Sequence, residues 1–225
     1  MIRGVAVVVP ARDEQDTIAA CLDAIRVALP GEVRSAVCVV LDRCTDDTER
    51  IACRSAPWAR LLVNRADLPL GTLRDLGARA ALAALGVPAR RSWLLSTDAD
   101  SVVRPGWVRD HLAQAARGVC GYAGATEITD WAGHTERTRL RYLAVAGDPS
   151  REHVYGANLG VRADAYLAVG GFAALATGED QDLWDRLRLA GHILVTGVAA
   201  PVLTSSRRHG RATGGVADLL AGLIS

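Results

Sequence analysis

A chain of 225 residues that is 50% hydrophobic and 23% charged, with a formal net charge of +1, is long enough for a substantial core and too apolar to stay disordered. The near-neutral balance excludes the strong basic excess of a dedicated nucleic-acid binder. All 26 basic residues are arginine, which also excludes chemistry that depends on lysine, such as a Schiff base or a phosphate-loop lysine.

Residues 4–9 form an unbroken apolar run, the pattern of a strand buried on both faces. Over residues 16–29, Ile18, Cys21, Leu22, Ile25 and Leu29 recur at helical spacing, with Asp16 as N-cap and Pro30-Gly31 as the stop. Residues 37–41 predict a second buried strand ending at Asp42, residues 46–53 a short helix, 60–63 a third strand and 72–85 an alanine-rich helix. A fourth strand over 92–96 runs directly into Thr97-Asp98-Ala99-Asp100. This alternation predicts a parallel, doubly wound α/β sheet, in which ligands sit beyond the carboxyl ends of the strands. The polar clusters 11–14, 42–47 and 98–100 fall at those ends.

The second half is less regular. A strand is expected over 119–129, an arginine-rich exposed or mobile helix over 135–145, a helix over 179–190, a last strand over 193–204 and a short apolar helix over 216–224. No linker divides the chain, so residues 1–225 are expected to form a single domain. The five cysteines are odd in number and include no C-x-x-C pair, which argues against a disulfide scaffold or zinc ribbon and fits a reducing cytoplasm. The opening apolar run is too short for a signal peptide, and no segment approaches the roughly 20 apolar residues that span a bilayer.

Three constellations carry chemistry. Asp98 and Asp100, one residue apart after a buried strand, can converge on one hard cation that keeps positions open for phosphate and water; the plain alternative is a helix N-cap at Asp100-Ser101. Glu179-Asp180-Gln181-Asp182 is denser in acid than a helix start requires, and one of its carboxylates can serve as a general base. Arg207-Arg208-His209 suits a diphosphate, although taken alone a solvated basic turn explains it better. His111, His134, His153 and His192 have no ligand spacing and are read as structural or surface residues. G-x-G-x-x-G is missing after the first strand, and neither G-x-S-x-G nor H-E-x-x-H occurs.

In order along the chain, these segments resemble the family-2 glycosyltransferases of the GT-A fold, from about Val5 to about His209. Val7-Val8-Val9-Pro10-Ala11-Arg12-Asp13-Glu14 is similar to the family's opening strand and turn, and 39–48 to its second-strand motif. Residues 71–77 resemble its glycine- and arginine-bearing helix start, and 155–162 with Gly170-Gly171-Phe172 its acceptor-side segment. The resemblance implies a mostly parallel central sheet flanked by helices, with 1–100 as nucleotide-binding half and 101–225 as acceptor-side half. It implies a hexosyltransferase moving sugar from a UDP- or GDP-linked donor to an acceptor hydroxyl, with Mn2+ or Mg2+ held by Asp100, Asp98 and His209. Pro10, Ala11, Arg12, Glu14, Asp42, Arg74, Asp98 and Arg207 would bind the donor nucleotide. Asp180 would be the base, Glu179 would order the site, and the anomeric configuration would invert. The processive synthases' Q-x-x-R-W motif is missing, which favours single transfer. Where the commoner pattern has two acids, glycine and serine, this chain has Leu41-Asp42-Arg43-Cys44, which leaves the base open. The apolar tail is left open between packing on the domain, a homodimer contact and a membrane-surface contact. Two alternatives stand beside this: a haloacid-dehalogenase-type phosphatase with Asp98 as nucleophile, and a non-catalytic nucleotide-sugar-binding protein.

Overall fold

A computed structural model describes residues 1–128, 130–146 and 154–205. Its first strand, β1 (Gly4–Ala11), shows why an unbroken apolar run marks a central strand. Successive side chains leave a strand on opposite faces. Val5, Val7 and Val9 therefore enter one hydrophobic core, and Ala6 and Val8 enter a second on the other side of the sheet. The second strand, β2 (Arg34–Asp42), repeats the division, with Val37, Val39 and Leu41 on one side and Cys38 and Val40 on the other.

Helices cover both faces. Helix α1 (Ile18–Ala28), α2 (Thr48–Ser55) and, beyond the fourth strand, α4 (Trp107–Ala116) cover the first core. Helix α3 (Leu70–Leu85), α6 (Ala163–Ala168) and α7 (Glu179–Leu189) cover the second through residues such as Ala78, Tyr166 and Trp184. Gly71 lets α3 start against the loop before α7, because a Cβ there would lie 1.9 Å from the Ala173 carbonyl oxygen.

With β3 (Arg60–Asn64), β4 (Ser92–Ser96), β5 (Ser101–Val102), β6 (Gly121–Ile128), β7 (Leu159–Arg162) and β8 (Leu194–Thr204), the sheet has eight strands in the order β3-β2-β1-β4-β7-β6-β8-β5. The four strands from the first half are parallel, as expected. The other half departs from pure double winding: β7 runs antiparallel to both β4 and β6, and β5 antiparallel to β8, while β6 and β8 are parallel. The result is a mostly parallel α/β sheet flanked by helices.

Several local expectations change. Helix α1 starts at Ile18 with Thr17 at its cap, not Asp16, because the Thr17 and Ile18 N–H groups both donate to the Glu14 carbonyl, at 3.0 and 2.9 Å, and turn the chain there. Asp100-Ser101 does not cap a helix: Ser101 enters β5, and α4 starts only after Gly106. The arginine-rich helix α5 (Glu136–Ala146) is not wholly solvated, since Thr138 and Tyr142 are buried and Tyr142 packs against Trp131 with ring centroids 5.5 Å apart. The apolar tail, His153, Arg207, Arg208 and His209 lie outside the described residues.

Candidate active site

Strand register brings the chemistry to one rim. Ala11 pairs with Leu41, Asp42 with Asn64 and Val8 with Ser96, so β1, β2, β3 and β4 end side by side. Antiparallel pairing of Ser96 with Leu159 carries the segment before β7 to the same edge. The rim therefore gathers Glu14, Asp42, Asp98, Asp100 and Gly156.

Arg74 stands at the centre. It projects from α3, and its side chain is only 4% exposed. Its Nε donates to Glu179 Oε1 at 2.7 Å, Nη1 to Ser96 Oγ at 2.6 Å and to the Gly156 carbonyl at 3.4 Å, and Nη2 to Asp98 Oδ1 at 2.5 Å. Burial works against the guanidinium charge, but Asp98, Glu179 and Asp180 outweigh it and hold its pKa above the ordinary value. Burial also pushes the Glu179 carboxyl upward, opposed by Arg74 and reinforced by Asp180. Gly156 is needed here, because a Cβ on it would lie 2.7 Å from Arg74 Nη2.

Asp180, next to Glu179 in the first turn of α7, is half-buried. Its Oδ2 accepts the Gly156 N–H and its Oδ1 the Gln181 N–H, both at 2.8 Å. The carboxylate is thereby fixed in orientation. Gly156 thus meets Asp180 through its N–H and Arg74 through its carbonyl.

Asp98 and Asp100 flank buried Ala99 in the turn after β4, and both are half-buried. The Cys21 thiol, inside the core beneath them, donates to the Asp98 carbonyl at 3.4 Å. Its pKa is raised by burial and then by Asp100, Asp98 and Glu14, so three acids act on one buried atom. This concentration of negative charge fits a divalent cation. Asp98 Oδ1 accepts from Arg74, and Asp100 Oδ1 from the Ser101 hydroxyl at 3.5 Å; Asp98 Oδ2 and the Asp100 carboxylate are the oxygens that could hold such an ion. One or two carboxylates with open positions is how Mg2+ is usually bound beside substrate phosphates.

Asp42 is buried at the end of β2, where Asn64 Nδ2 donates to its Oδ1 at 2.7 Å. Arg43 Nε reaches the same oxygen at 3.3 Å, and half-exposed Arg12 lies 3.8 Å from Oδ2. Pro10 and Ala11 are the last two residues of β1 beside them, and the Glu14 N–H donates to Thr48 Oγ1 at 2.6 Å. A second group of donor atoms, from Asp13, Cys44 and Asp46, lies within 4.8 Å. Those carboxylates are used as loop staples. Asp13 Oδ1 accepts the Thr45 N–H at 2.7 Å, and Asp46 accepts N–H groups of Gln15 and Thr48.

Two participants were not anticipated. Asn64 ends β3 directly opposite Asp42, and a polar residue closing a strand beside another strand's terminal acid was the available signal. Asn158, fully buried, accepts from Trp107 Nε1 at 2.8 Å and His111 Nε2 at 3.1 Å and donates to the Ala125 carbonyl at 2.8 Å. It locks the short turn Gly156–Asn158 that faces Asp180 and Arg74.

A search of the curated proteins finds no match for the chain. Among solved structures, residues 1–349 of S. aureus TarS in complex with UDP-GlcNAc are 15% identical with a TM-score of 0.69, covering 99% of this chain and 66% of that fragment. The mannosyltransferase PcManGT from Pyrobaculum calidifontis, in complex with GDP-Man and Mn2+, is 19% identical with a TM-score of 0.63, covering 92% of this chain and 58% of that one. Glucosyl-3-phosphoglycerate synthase from Mycobacterium tuberculosis, in complex with Mn2+, UDP and phosphoglyceric acid, is 18% identical with a TM-score of 0.61, covering 99% and 77%. The chain thus spans less than two thirds of the TarS and PcManGT chains, and at these identities the likeness is one of fold. No helix among the described residues is long and apolar enough to cross a membrane. The sequence model described as Glycosyl transferase family 2 matches residues 6–172, and the chain belongs to that family of glycosyltransferases.

Proposed function

We propose that this chain moves a sugar from a nucleotide-diphosphate sugar to an acceptor hydroxyl in a single, metal-dependent, inverting transfer. The observation that carries the reading is the convergence of Asp98, Glu179 and Asp180 around Arg74, with Asp100 in the same turn as Asp98 at the carboxyl ends of the parallel strands. Family membership supports it, as do fold neighbours solved with UDP-GlcNAc or with GDP-Man and Mn2+.

In this reading Asp100 and Asp98 hold Mn2+ or Mg2+, which when bound offsets the charge that develops on the leaving diphosphate. The Pro10–Glu14 turn and Asp42 receive the nucleoside. Arg74 holds Asp98 and Glu179 in place instead of reaching phosphate, because its N–H groups are turned onto protein acceptors. Asp180, oriented by the Gly156 and Gln181 N–H groups, takes the proton of the attacking hydroxyl. Arg207 and His209 remain candidates for diphosphate and metal contacts. The phosphatase alternative loses ground because Asp98 Oδ1, half of the required nucleophile, is tied to a buried guanidinium.

A thermal-shift panel of UDP- and GDP-sugars, with and without Mn2+, tests this reading. Ligands that bind only the folded protein raise its Tm. The expected result is a Mn2+-dependent rise with at least one donor; a flat panel, or phosphate release from a simple phosphomonoester, contradicts it.

A further inference from the structure

We propose that Asn158 is a positioning residue for the transfer, setting the aim of Asp180 through the peptide of Gly156. The proposal rests on the transfer reading of the site and on Asp180 as its base.

Asp180 accepts two backbone N–H groups. The one from Gln181 belongs to its own helix and moves with it. The one from Gly156, at 2.8 Å, comes from outside α7. The direction in which the carboxylate points therefore depends on where the turn Gly156–Asn158 holds that N–H.

Asn158 holds the turn. Its backbone N–H donates to the Tyr155 carbonyl at 2.9 Å and closes the turn on itself. Its side chain is fully buried and clamped from two elements. Trp107 Nε1, which can only donate, meets Asn158 Oδ1 at 2.8 Å, and Asn158 Nδ2 donates to the Ala125 carbonyl of β6 at 2.8 Å. These two bonds fix the sense of the amide, so His111 Nε2, 3.1 Å from the same Oδ1, carries the imidazole proton. Helix α4 thus supplies two donors and β6 one acceptor. The backbone on either side makes room for the cluster: a Cβ on Gly124 would collide with Asn158 Nδ2, and one on Gly160 with His111 Nδ1. Inside such a cluster solvent does not replace a lost bond.

Loss of the clamp acts unevenly on the two sides of the turn. The Gly156 N–H is the bond that ties Asp180 to the rest of the site. The Gly156 carbonyl is the longest of the Arg74 contacts, at 3.4 Å, and those to Glu179, Ser96 and Asp98 remain without it. The base loses its aim while the acids after β4 keep their anchor.

Amide NMR of glycine-labelled wild type, Asp180→Ala, Asn158→Ala and Trp107→Phe tests the proposal without a substrate. The Gly156 amide proton should move upfield in Asp180→Ala, where its charged acceptor is gone. Asn158→Ala should reproduce much of that movement. Trp107→Phe, which removes one donor and keeps an aromatic ring in the core, should move it the same way by less, and serves where Asn158→Ala does not fold. The second readout is release of nucleoside diphosphate onto water from the best-binding nucleotide sugar in Mn2+. In a folded Asn158→Ala chain kcat should fall roughly tenfold or more with KM for the donor unchanged, and adding Asn158→Ala to Asp180→Asn should cost little more. An unmoved Gly156 proton in a folded variant, a change in KM in place of the loss in kcat, or losses that multiply in the double variant overturns the proposal. Absence of Mn2+-dependent donor binding by the wild-type chain overturns the transfer reading instead, and the Gly156 proton separates the two failures. That proton also decides alone where water is too poor an acceptor for turnover.

Discussion

Arg74 and Glu179 lie 105 residues apart in the chain and meet inside the protein, with Nε 2.7 Å from Oε1. Both side chains are 4% exposed. The pair joins α3 to α7, and through Asp98 it also reaches the turn after β4. A buried ion pair of this kind contributes little net stability over an apolar pair, yet breaking it is costly because a charge is left unpaired.

Arg74→Met should therefore destabilise the chain by about 3–5 kcal/mol. Arg74→Met with Glu179→Gln should lose less, since the stranded carboxylate is also removed. Urea melts of the two variants check this; a single variant as stable as wild type would contradict the placement of Arg74 at the centre of the site.

Asp180→Asn retains the shape of the first turn of α7 and an oxygen able to accept the Gly156 N–H, but removes the carboxylate proposed as the base. The expected loss is roughly 10²-fold or more in transfer rate, with UDP affinity within about twofold of wild type. Steady-state kinetics beside a binding titration separates the two effects. Turnover at the wild-type rate would move the base role elsewhere.

The buried His111 ring predicts a pH effect on stability. Burial lowers its pKa to about 4 from the ordinary 6.5, with the Asn158 hydrogen bond opposing the shift. Above pH 6.5 neither state carries the proton and His111 adds no pH dependence. Between 6.5 and about 4 the unfolded chain takes up a proton that the folded chain refuses, so stability falls as pH falls, by roughly 3 kcal/mol at most. His111→Gln should flatten that part of the Tm-against-pH curve, and an identical slope in the variant would count against the assignment.

The legible part of the fold was the part whose strands are buried on both faces. The apolar runs at β1, β2 and β4 need no periodicity to be seen, and the acids after β2 and β4 inherit their position from the strands. Less was readable after Val102. Strand β5 is two residues long, too short to leave a pattern, and α4 buries its Trp107, Val108 and His111 beneath a mostly polar exterior. Reversal of β7 comes from the return of the chain through Gly156–Asn158, which local preference does not encode. In the site, the sequence assigns Arg74 to phosphate, whereas in the structure its N–H groups meet Glu179, Ser96, Asp98 and the Gly156 carbonyl; its place in the second turn of α3 among Leu73, Gly77 and Ala78, all buried, was the sign of internal partners. Asn64 was missed because a lone asparagine after a strand ordinarily reads as a turn residue.

The proposed role of Asp98 and Asp100 in holding a metal ion against a nucleotide's diphosphate is tested most directly by titrating UDP and GDP into the wild-type chain and Asp100→Asn, each with and without Mn2+. Wild type should bind at least one of them, and much more tightly when Mn2+ is present, while Asp100→Asn should lose that enhancement. Equal affinity with and without the ion, or an enhancement that survives in Asp100→Asn, would contradict the metal role given to these two acids.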